Sequence, residues 1–504
     1  MVPILSLSEA IELERTLLGK SLERVGEAMY RAGTLLGQGI LADFREVDRT
    51  RRPQNIVVLL GKGHNAGDAL VALHVLLEAN PSAEATLVLT APRETFNPLT
   101  YTAYYSCKNQ GARVKVLDLS LFEKPEVALE NAFSGQAFDV CIDGLFGMSF
   151  RPPFSPLCEI LIHFFNTFPA IRLRAAVDLP SGLSEAADGV PFRADFTYAT
   201  GSVKRPLLSH PNVGHVRYLD LGFFQAGDFA SHPKLLTLQC LKPLFALRPS
   251  HCDKRDFGHL AIIAGSLNMP GALMMATKAA LRSGVGRVTV ACADVLVPSL
   301  ANAIPEAMWL PLQAKEGCIQ ASTKNLQAIQ SLLSRTTALL IGPGMGQEAS
   351  TRSLMKKVLA QSTLPAVLDA DALFPELLVR DNLVLTPHEG EYKRLEGYVD
   401  DLATFAKESR AVVVLKGPLT QISNGVQTYY SPFGGPILAR GGSGDVLAGL
   451  LAGFLAQNKN DAIIDVAAQA VVLHGYTADC LARSQNASFA TTTDLLDALR
   501  GLSL

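Results

Sequence analysis

No apolar run in the 504 residues approaches the length of a membrane span, and the opening stretch, MVPILSLSEAIELERTLL, lacks the basic patch followed by an apolar segment that a secretory signal carries. The expected location is therefore the cytoplasm, with no membrane partner. Neither sign of charge is in excess: 45 Lys and Arg against 47 Asp and Glu leave a formal net charge of −2, so electrostatics make no case for nucleic acid. The densest basic tract, REVDRTRR (45–52), is short, mixed with acids, and reads as a solvated loop. The eight cysteines include no C-x-x-C pair, which argues against a zinc site or a disulfide framework. Cys141 in FDVCID and Cys292 in VTVACAD read instead as small core residues in a reduced compartment. Low-complexity segments and internal repeats are also missing.

What is present is an alternation of short β-branched runs with longer helical patterns, which predicts α/β architecture with mainly parallel sheets. In the first half the expected strands are NIVVLLG (55–61), ATLVLT (85–90), RVKVLD (113–118), FDVCIDG (138–144), RAAVDLP (174–180) and ADFTYAT (194–200). The pattern breaks after Gly222, and a new series starts with HLAIIAG (259–265), GRVTVAC, ALLIGPG, AVLDAD, LVLTPH and AVVVLKG. A chain this long exceeds one ordinary core. The expected organisation is a domain over 1–225, a linker over 226–250 and a domain over 251–504.

The most informative stretch is ARGGSGDVLAGLLAGFLAQ (439–457). Glycines at a loop that feeds a helix let backbone amides converge, and the helix start adds partial positive charge, so an anion belongs in front of it. Asp445 would be repelled by that anion, which suggests a working base; an acidic residue opening a buried helix is the plainer alternative. The apolar run from Val446 predicts a helix buried on all sides. Other strand ends in this half carry glycine or polar groups: GSLNMPGA (265–272), GPGMG (342–346), DADAL (369–373), TPHEGE (386–391) and KGPLT (416–420). In open parallel sheets, ligands collect at such ends.

This series, with GGSGDVLAG (441–449), resembles the ribokinase-like superfamily and, within it, the ADP-dependent NAD(P)H-hydrate dehydratases. The resemblance implies a ribokinase-like three-layer α/β fold. It implies that Lys416, Gly417, Pro418, Leu419, Thr420 and Gly444 bind the adenine nucleotide. Ala272, Gly344, Gly346 and His388 would line the pocket for hydrated nicotinamide, with Asp445 as catalytic base and Mg2+ as companion ion. Hydroxide leaves C6 poorly, so Asp445 would remove the hydroxyl proton, the oxygen would take the β-phosphoryl group of ADP, and phosphate would depart to regenerate NADH or NADPH. Phe374 stands where the family has Asn after D-A-D-x-L. A small-molecule kinase of the same superfamily is the competing reading, with a non-catalytic first domain.

In the first half, NIVVLLG runs into GKGHNAGDALVALHVLLEA (61–79), without G-x-G-x-x-G, and two further strands end in Asp143 and Asp178. Together with FDVCIDGLFGMSFRP (138–152) and AVDLPSGL (176–183), this set resembles the NAD(P)H-hydrate epimerase domain and implies a Rossmann-like three-layer α/β fold. Carried across, Asn65, Asp143 and Ser181 would hold K+, and Asp178 would act as acid or base while C6 is inverted. His64, Asn65, Ala66, Gly67 and Asp68, with Gly147, Met148, Ser149, Phe150 and Arg151, would contact substrate. The chain departs from the family pattern at His64, Ala66, Ala69, Met148 and Ser149, and an added Cβ can block a ligand where backbone must approach it. Either epimerase activity survives these changes or this half is a binding or structural module. The substrates implied are NADHX and NADPHX, and related enzymes often form homo-oligomers.

Overall fold

A computed structural model describes all residues except 110, 186–188, 226–228, 378–380, 396–400, 459, 503 and 504. Residues 226–228, where the expected linker opens, and 503–504, where the expected second domain ends, thus lie outside the described residues. The chain divides into two compact units, one of Val2–His232 with Arg483–Gln485, the other of Met1, Pro233–Ala482 and Asn486–Leu504.

The first unit carries a seven-stranded parallel sheet in the order Val114–Asp118, Glu84–Leu89, Asn55–Leu60, Phe138–Gly144, Ile171–Val177, Phe196–Thr200, His215–Leu219. Alternation along Asn55–Leu60 builds three layers. Ile56, Val58 and Leu60 join a core with residues of the helices Leu22–Val47 and His64–Ala79. Val57 and Leu59 join a second core with residues of Pro125–Phe133 and Pro156–Thr167. Strand order reverses between Asn55–Leu60 and Phe138–Gly144, and the crevice at such a switch point is where a doubly wound sheet receives ligands.

In the second unit, parallel strands run in the order Met308–Leu312, Arg287–Ala293, His259–Ile263, Ala338–Ile341, Ala366–Leu368, Leu383–Leu385, Val412–Leu415. Thr420–Ser423 and Thr428–Ser431 then continue it as an antiparallel hairpin. That hairpin turns at Asn424-Gly425, with Gly425 at φ 82°, a turn signal of the Asn-Gly kind. The helix Ser443–Gln457 is buried on every side from Val446 to Ala456, as its unbroken apolar run predicts. Its glycines let it lie against Pro270–Arg282: a Cβ on Gly449 would fall 2.2 Å from the carbonyl oxygen of Ala276, and one on Gly453 would fall 2.1 Å from Ser283 Oγ. Close backbone packing thus fixes the height of the helix and the placement of Asp445 in its first turn.

Candidate active sites

In the second unit, three strand ends and one helix start meet around Lys416. Lys416 follows Val412–Leu415, and its ammonium lies 3.0 Å from Asp369 Oδ1, which also accepts from Thr386 Oγ1 at 2.7 Å. Glu391 Oε2 is 3.8 Å from the same nitrogen. A Cβ added to Gly444 would stand 3.2 Å from Lys416 Nζ, so the glycine brings the helix start up to the lysine. Gly442 takes φ 89° as the N-cap of this helix, and Thr492 Oγ1 braces the loop by donating to the Gly441 carbonyl at 2.7 Å.

Asp445 sits among these charges. Burial, and next the carboxylate of Asp369, push it up to about 7, with Lys416 pulling the other way. Lys416 stays above its ordinary value despite its own burial, because Asp369 and Glu391 favour its charged form. A carboxyl group poised near neutrality beside a fixed cation is suited to removing a proton at physiological pH.

The glycine loop 342–346 is shaped by backbone conformation: Gly342, Gly344 and Gly346 have φ of 123°, 61° and 83°. Gly344 faces Met269 and Ala272, the latter's Cβ 3.1 Å from where its own would be, which brings this loop against Ala272. The Gly346 amide donates to Asp371 Oδ2 at 2.9 Å and ties the loop to the next strand end. Gly417 and Gly441, in contrast, would meet nothing within 4 Å if given a Cβ. Packing does not demand glycine there, and both face open space.

His388 has a structural duty that the sequence did not reveal. It caps the helix Glu389–Arg394, accepting from Gly390 N at 3.0 Å and Glu391 N at 3.2 Å through Nδ1. The His388 backbone forms an isolated parallel bridge with Lys416, which keeps the residue beside the same cluster. Also unforeseen is His474, 7 % exposed, whose ring meets the backbone of Ser443 and whose Nε2 has no hydrogen-bond partner among the described residues. Burial pushes it down to about 4, so a neutral ring lies at the start of the Ser443–Gln457 helix. The sequence signal was faint: one histidine within the largely apolar helix Ile463–Ser484.

The first unit holds a cavity of about 800 Å³ at its switch point. His64, Asn65 and Asp68, the loop 147–151 and Asp178 all line it. Ala66 and Gly67, expected as substrate contacts, do not. Both are buried and turn inward, where a Cβ on Gly67 would strike Met29 Sδ at 2.3 Å. Ala69 packs on Gly144 of the central strand. The two alanines that replace family glycines therefore add their methyls on the core side of the helix, and the expected obstruction does not arise.

Asp178 closes Ile171–Val177 in the left-handed region at φ 65°, a strained conformation that tends to be kept at functional positions. Its Oδ1 accepts from Thr200 Oγ1 at 2.9 Å and from Thr200 N at 3.2 Å, and pairs with the ammonium of Lys204. Lys204 is fully buried and also donates to the carbonyls of Thr200 at 3.0 Å and Ser202 at 2.9 Å. Sequence reading missed Lys204, which lies in the two-residue strand Val203–Lys204 with no motif of its own. Asp68 is driven well above its ordinary value by burial and then by the charges of Asp178 and Glu14.

Near this pair, Asp143 is buried, accepts from Ser181 Oγ at 2.6 Å and Ser181 N at 2.7 Å, and is pushed up to about 6 by burial. Asn65 Nδ2 donates to the carbonyls of Phe146 at 2.8 Å and Val177 at 2.9 Å, while its Oδ1 approaches Gly147 so closely that a Cβ there would be 2.4 Å away. The three residues expected to hold K+ thus offer one carboxylate, one hydroxyl and one amide oxygen. A single charge among neutral oxygens suits a large monovalent cation better than a divalent one. The loop 147–151 lacks the family's Thr-Gly and is steadied by rings, with Phe150 packed at a tilt against Phe146 and Phe154, centroids 5.3 and 4.8 Å away. No helix among the described residues is long and apolar enough to cross a membrane.

Residues 260–500 match the family described as NAD(P)H-hydrate dehydratase, and residues 22–206 match the family described as YjeF-related protein N-terminus. The bifunctional NAD(P)H-hydrate repair enzyme Nnr of Moorella thermoacetica is 32 % identical over 94 % of this chain and 91 % of its own length. That of Coxiella burnetii is 31 % identical over 97 % of each. Among solved structures, an ADP/ATP-dependent NAD(P)H-hydrate dehydratase from Bacillus subtilis, co-crystallised with ATP and Mg2+, is 27 % identical over 53 % of this chain and 96 % of its own, with a TM-score of 0.45. With a Lys416 and Asp445 cleft in one unit, an Asp178 cavity in the other and relatives matched nearly end to end, the chain belongs to the bifunctional NAD(P)H-hydrate repair enzymes.

Proposed function

We propose that the second unit uses ADP as phosphoryl donor to dehydrate the (6S) form of NADHX or NADPHX, with Asp445 as base, and that the first unit feeds it by inverting C6 of the (6R) form with Asp178. We assign 1–225 to the epimerase half and 251–504 to the dehydratase half, joined by 226–250. The observation that carries the dehydratase mechanism is the meeting of Asp445, Lys416 and Gly444 at the start of the Ser443–Gln457 helix. Asp445 takes the C6 hydroxyl proton, the freed oxygen accepts the β-phosphoryl group as its bond to AMP breaks, and phosphate then leaves with the C6–O electrons. Nitrogen N1 assists that departure, and loss of a C5 proton completes NADH or NADPH. Lys416 and the first amides of the helix stabilise charge on the transferring group.

Lys416 to Thr420 and Gly444 form the nucleotide side of the cleft, and Ala272, Gly344, Gly346 and His388 the nicotinamide side. Among the described residues no group of three or more His, Cys, Asp or Glu is placed to hold a metal alone. Mg2+ would arrive with phosphate oxygens and need only one or two protein carboxylates; Asp369, Asp371 and Glu391 are those available. Bound there, Mg2+ would neutralise phosphate charge. In the first unit, Asn65, Asp143 and Ser181 would hold K+, which would fix the substrate loop electrostatically.

Hydrated NADH incubated with the full chain and either ADP or ATP tests the donor: recovery of reduced-nicotinamide absorbance with release of AMP and phosphate is expected from ADP. A stably phosphorylated product without that recovery would establish the kinase reading instead. The same assay carries a pH prediction. Because the base must be unprotonated and Asp445 lies near about 7, kcat/KM should rise about tenfold per pH unit below that value and level off above it. His474, already neutral above about 4, would not contribute to that limb. A flat profile from pH 5 to 8, on the order of the range where such bases titrate, would remove Asp445 from the role.

A further inference from the structure

Glu14 belongs to neither matched segment, yet the chain delivers it to the epimerase cavity by a definite route. Strand Val2–Leu5 pairs in parallel with Val203–Lys204, and the register sets Leu5 opposite Lys204. Ser6 then caps the next helix with a full capping box, its Oγ accepting from Glu9 N and Glu9 Oε2 accepting from Ser6 N at 2.8 Å. The helix Leu7–Leu18 therefore starts beside Lys204, and its face of Ile11, Glu14, Arg15 and Leu18 forms part of the cavity wall. On a helix, residues three, four and seven apart share one face, so Glu14 is the acidic member of that wall.

We propose that Glu14 is a third carboxyl group of the epimerase reaction, a positioning and proton-returning residue that links the Asp68 and Asp178 pair to solvent. The inference rests on the epimerase reading above. Three carboxyl groups here act on one another and on one buried cation, Lys204, and burial with that mutual repulsion favours a proton on Asp68 and on Glu14. Asp178 has Lys204 and Thr200 as partners and is the natural carboxylate. Asp68, 8 % exposed and with no hydrogen-bond partner for its carboxyl group among the described residues, is the natural acid. Glu14 is only partly buried and reaches both the cavity and water. Burial, partly offset by Lys204 and reinforced by Asp178, pushes it up to about 7, where a carboxyl group exchanges protons freely at neutral pH.

The chemistry calls for such a group. C6 of the hydrate carries a hydroxyl next to N1. Inversion proceeds when Asp68 donates its proton to that oxygen, the C6–O bond breaks with its electron pair leaving on water, and the N1 lone pair forms N1=C6. Water then adds to the opposite face, Asp178 takes its proton, the new C6–O bond forms, and the N1=C6 electrons return to N1. Each turn ends with Asp68 deprotonated and Asp178 protonated. Another turn in the same direction needs that proton moved back, and Glu14 lies where it can be exchanged.

The test follows conversion of (6R)- to (6S)-NADHX by NMR with the full chain, without nucleotide so that dehydration is idle. Glu14→Gln should lower kcat at least ~10-fold with KM within about twofold, and added acetate should restore much of the loss as an external proton carrier. Glu14→Asp should keep most of the rate. The pH profile should lose a limb in Glu14→Gln; the other charged groups facing this position are Asp68, Asp178 and Lys204, with Arg15, Lys62 and His64 around the rim, and Arg151, whose guanidinium is turned onto the carbonyls of Met148 and Phe150. Parent-like denaturant unfolding of the full chain, followed by a probe in the first unit, shows that the variant is folded. Turnover within about twofold of the parent at all pH values, or a loss wholly in KM, overturns the role of Glu14. Parent-like conversion by Asp178→Asn would overturn the epimerase reading itself, and the inference with it.

Discussion

Asp445→Asn should lose at least ~100-fold in kcat for dehydration of NADHX, the range expected when a positioned general base is removed. The change is close to isosteric, and helix Ser443–Gln457 is set by glycine packing and by the Thr492 brace, neither of which involves the side chain. Nucleotide affinity should therefore remain within a few fold, as measured by titration calorimetry with ADP. Stability offers a second readout with a definite sign. Asp445 is raised from 3.8 to about 7 in the folded chain by burial and by Asp369, so the folded state binds its proton more tightly than the unfolded state does. The associated stability is fully present below about 4 and is lost as pH rises through about 7. At pH 8 the Asn variant should thus melt higher than the parent, and the difference should vanish in acid. Near-parent turnover, or equal melting temperatures at pH 8, would show that Asp445 is only an acidic first-turn residue of a buried helix.

Lys204→Met should destabilise the first unit by about 3–5 kcal/mol, the cost of leaving a buried charge without its partner. The side chains of Lys204 and Asp178 are 0 % and 4 % exposed, so water cannot take the place of the ammonium. The carbonyls of Thr200 and Ser202 also lose their donor. Denaturant unfolding of the full chain, followed by a probe in the first unit, measures the effect; epimerase turnover should fall with it. The double variant Lys204→Met with Asp178→Asn should regain much of the stability and none of the activity, because the penalty comes from the stranded carboxylate. A single-variant cost below about 1 kcal/mol would mean that Asp178 is protonated or solvated without Lys204.

Motif chemistry was legible where a loop supplies it locally. Lys416 and His388 stand just past strands that the alternation of β-branched and helical runs had already marked, Gly442 to Asp445 open the helix that the apolar run had marked, and the fold brings them together. What the letters left open was direction. Ala66 and Gly67 lie in a glycine-rich motif that runs along the cavity, but a helix of 3.6 residues per turn aims Asn65 and Asp68 toward the cavity and the residues between them into the core. A string of letters records that the glycines changed; only the helix phase shows that the added methyls meet Gly144 and the core.

The sequence by itself determined the α/β class, the two series of strands and the glycine-rich and polar loops at their ends, because each depends on periodicity or on groups within a few positions of one another. The tertiary structure alone decided which distant groups share an electrostatic environment: Asp369 with Lys416, His474 under Ser443, and Glu14 and Lys204 with Asp178. Those partnerships join residues far apart in the chain, and what fixes them is burial beside a charge, a property of the folded interior that no local pattern encodes.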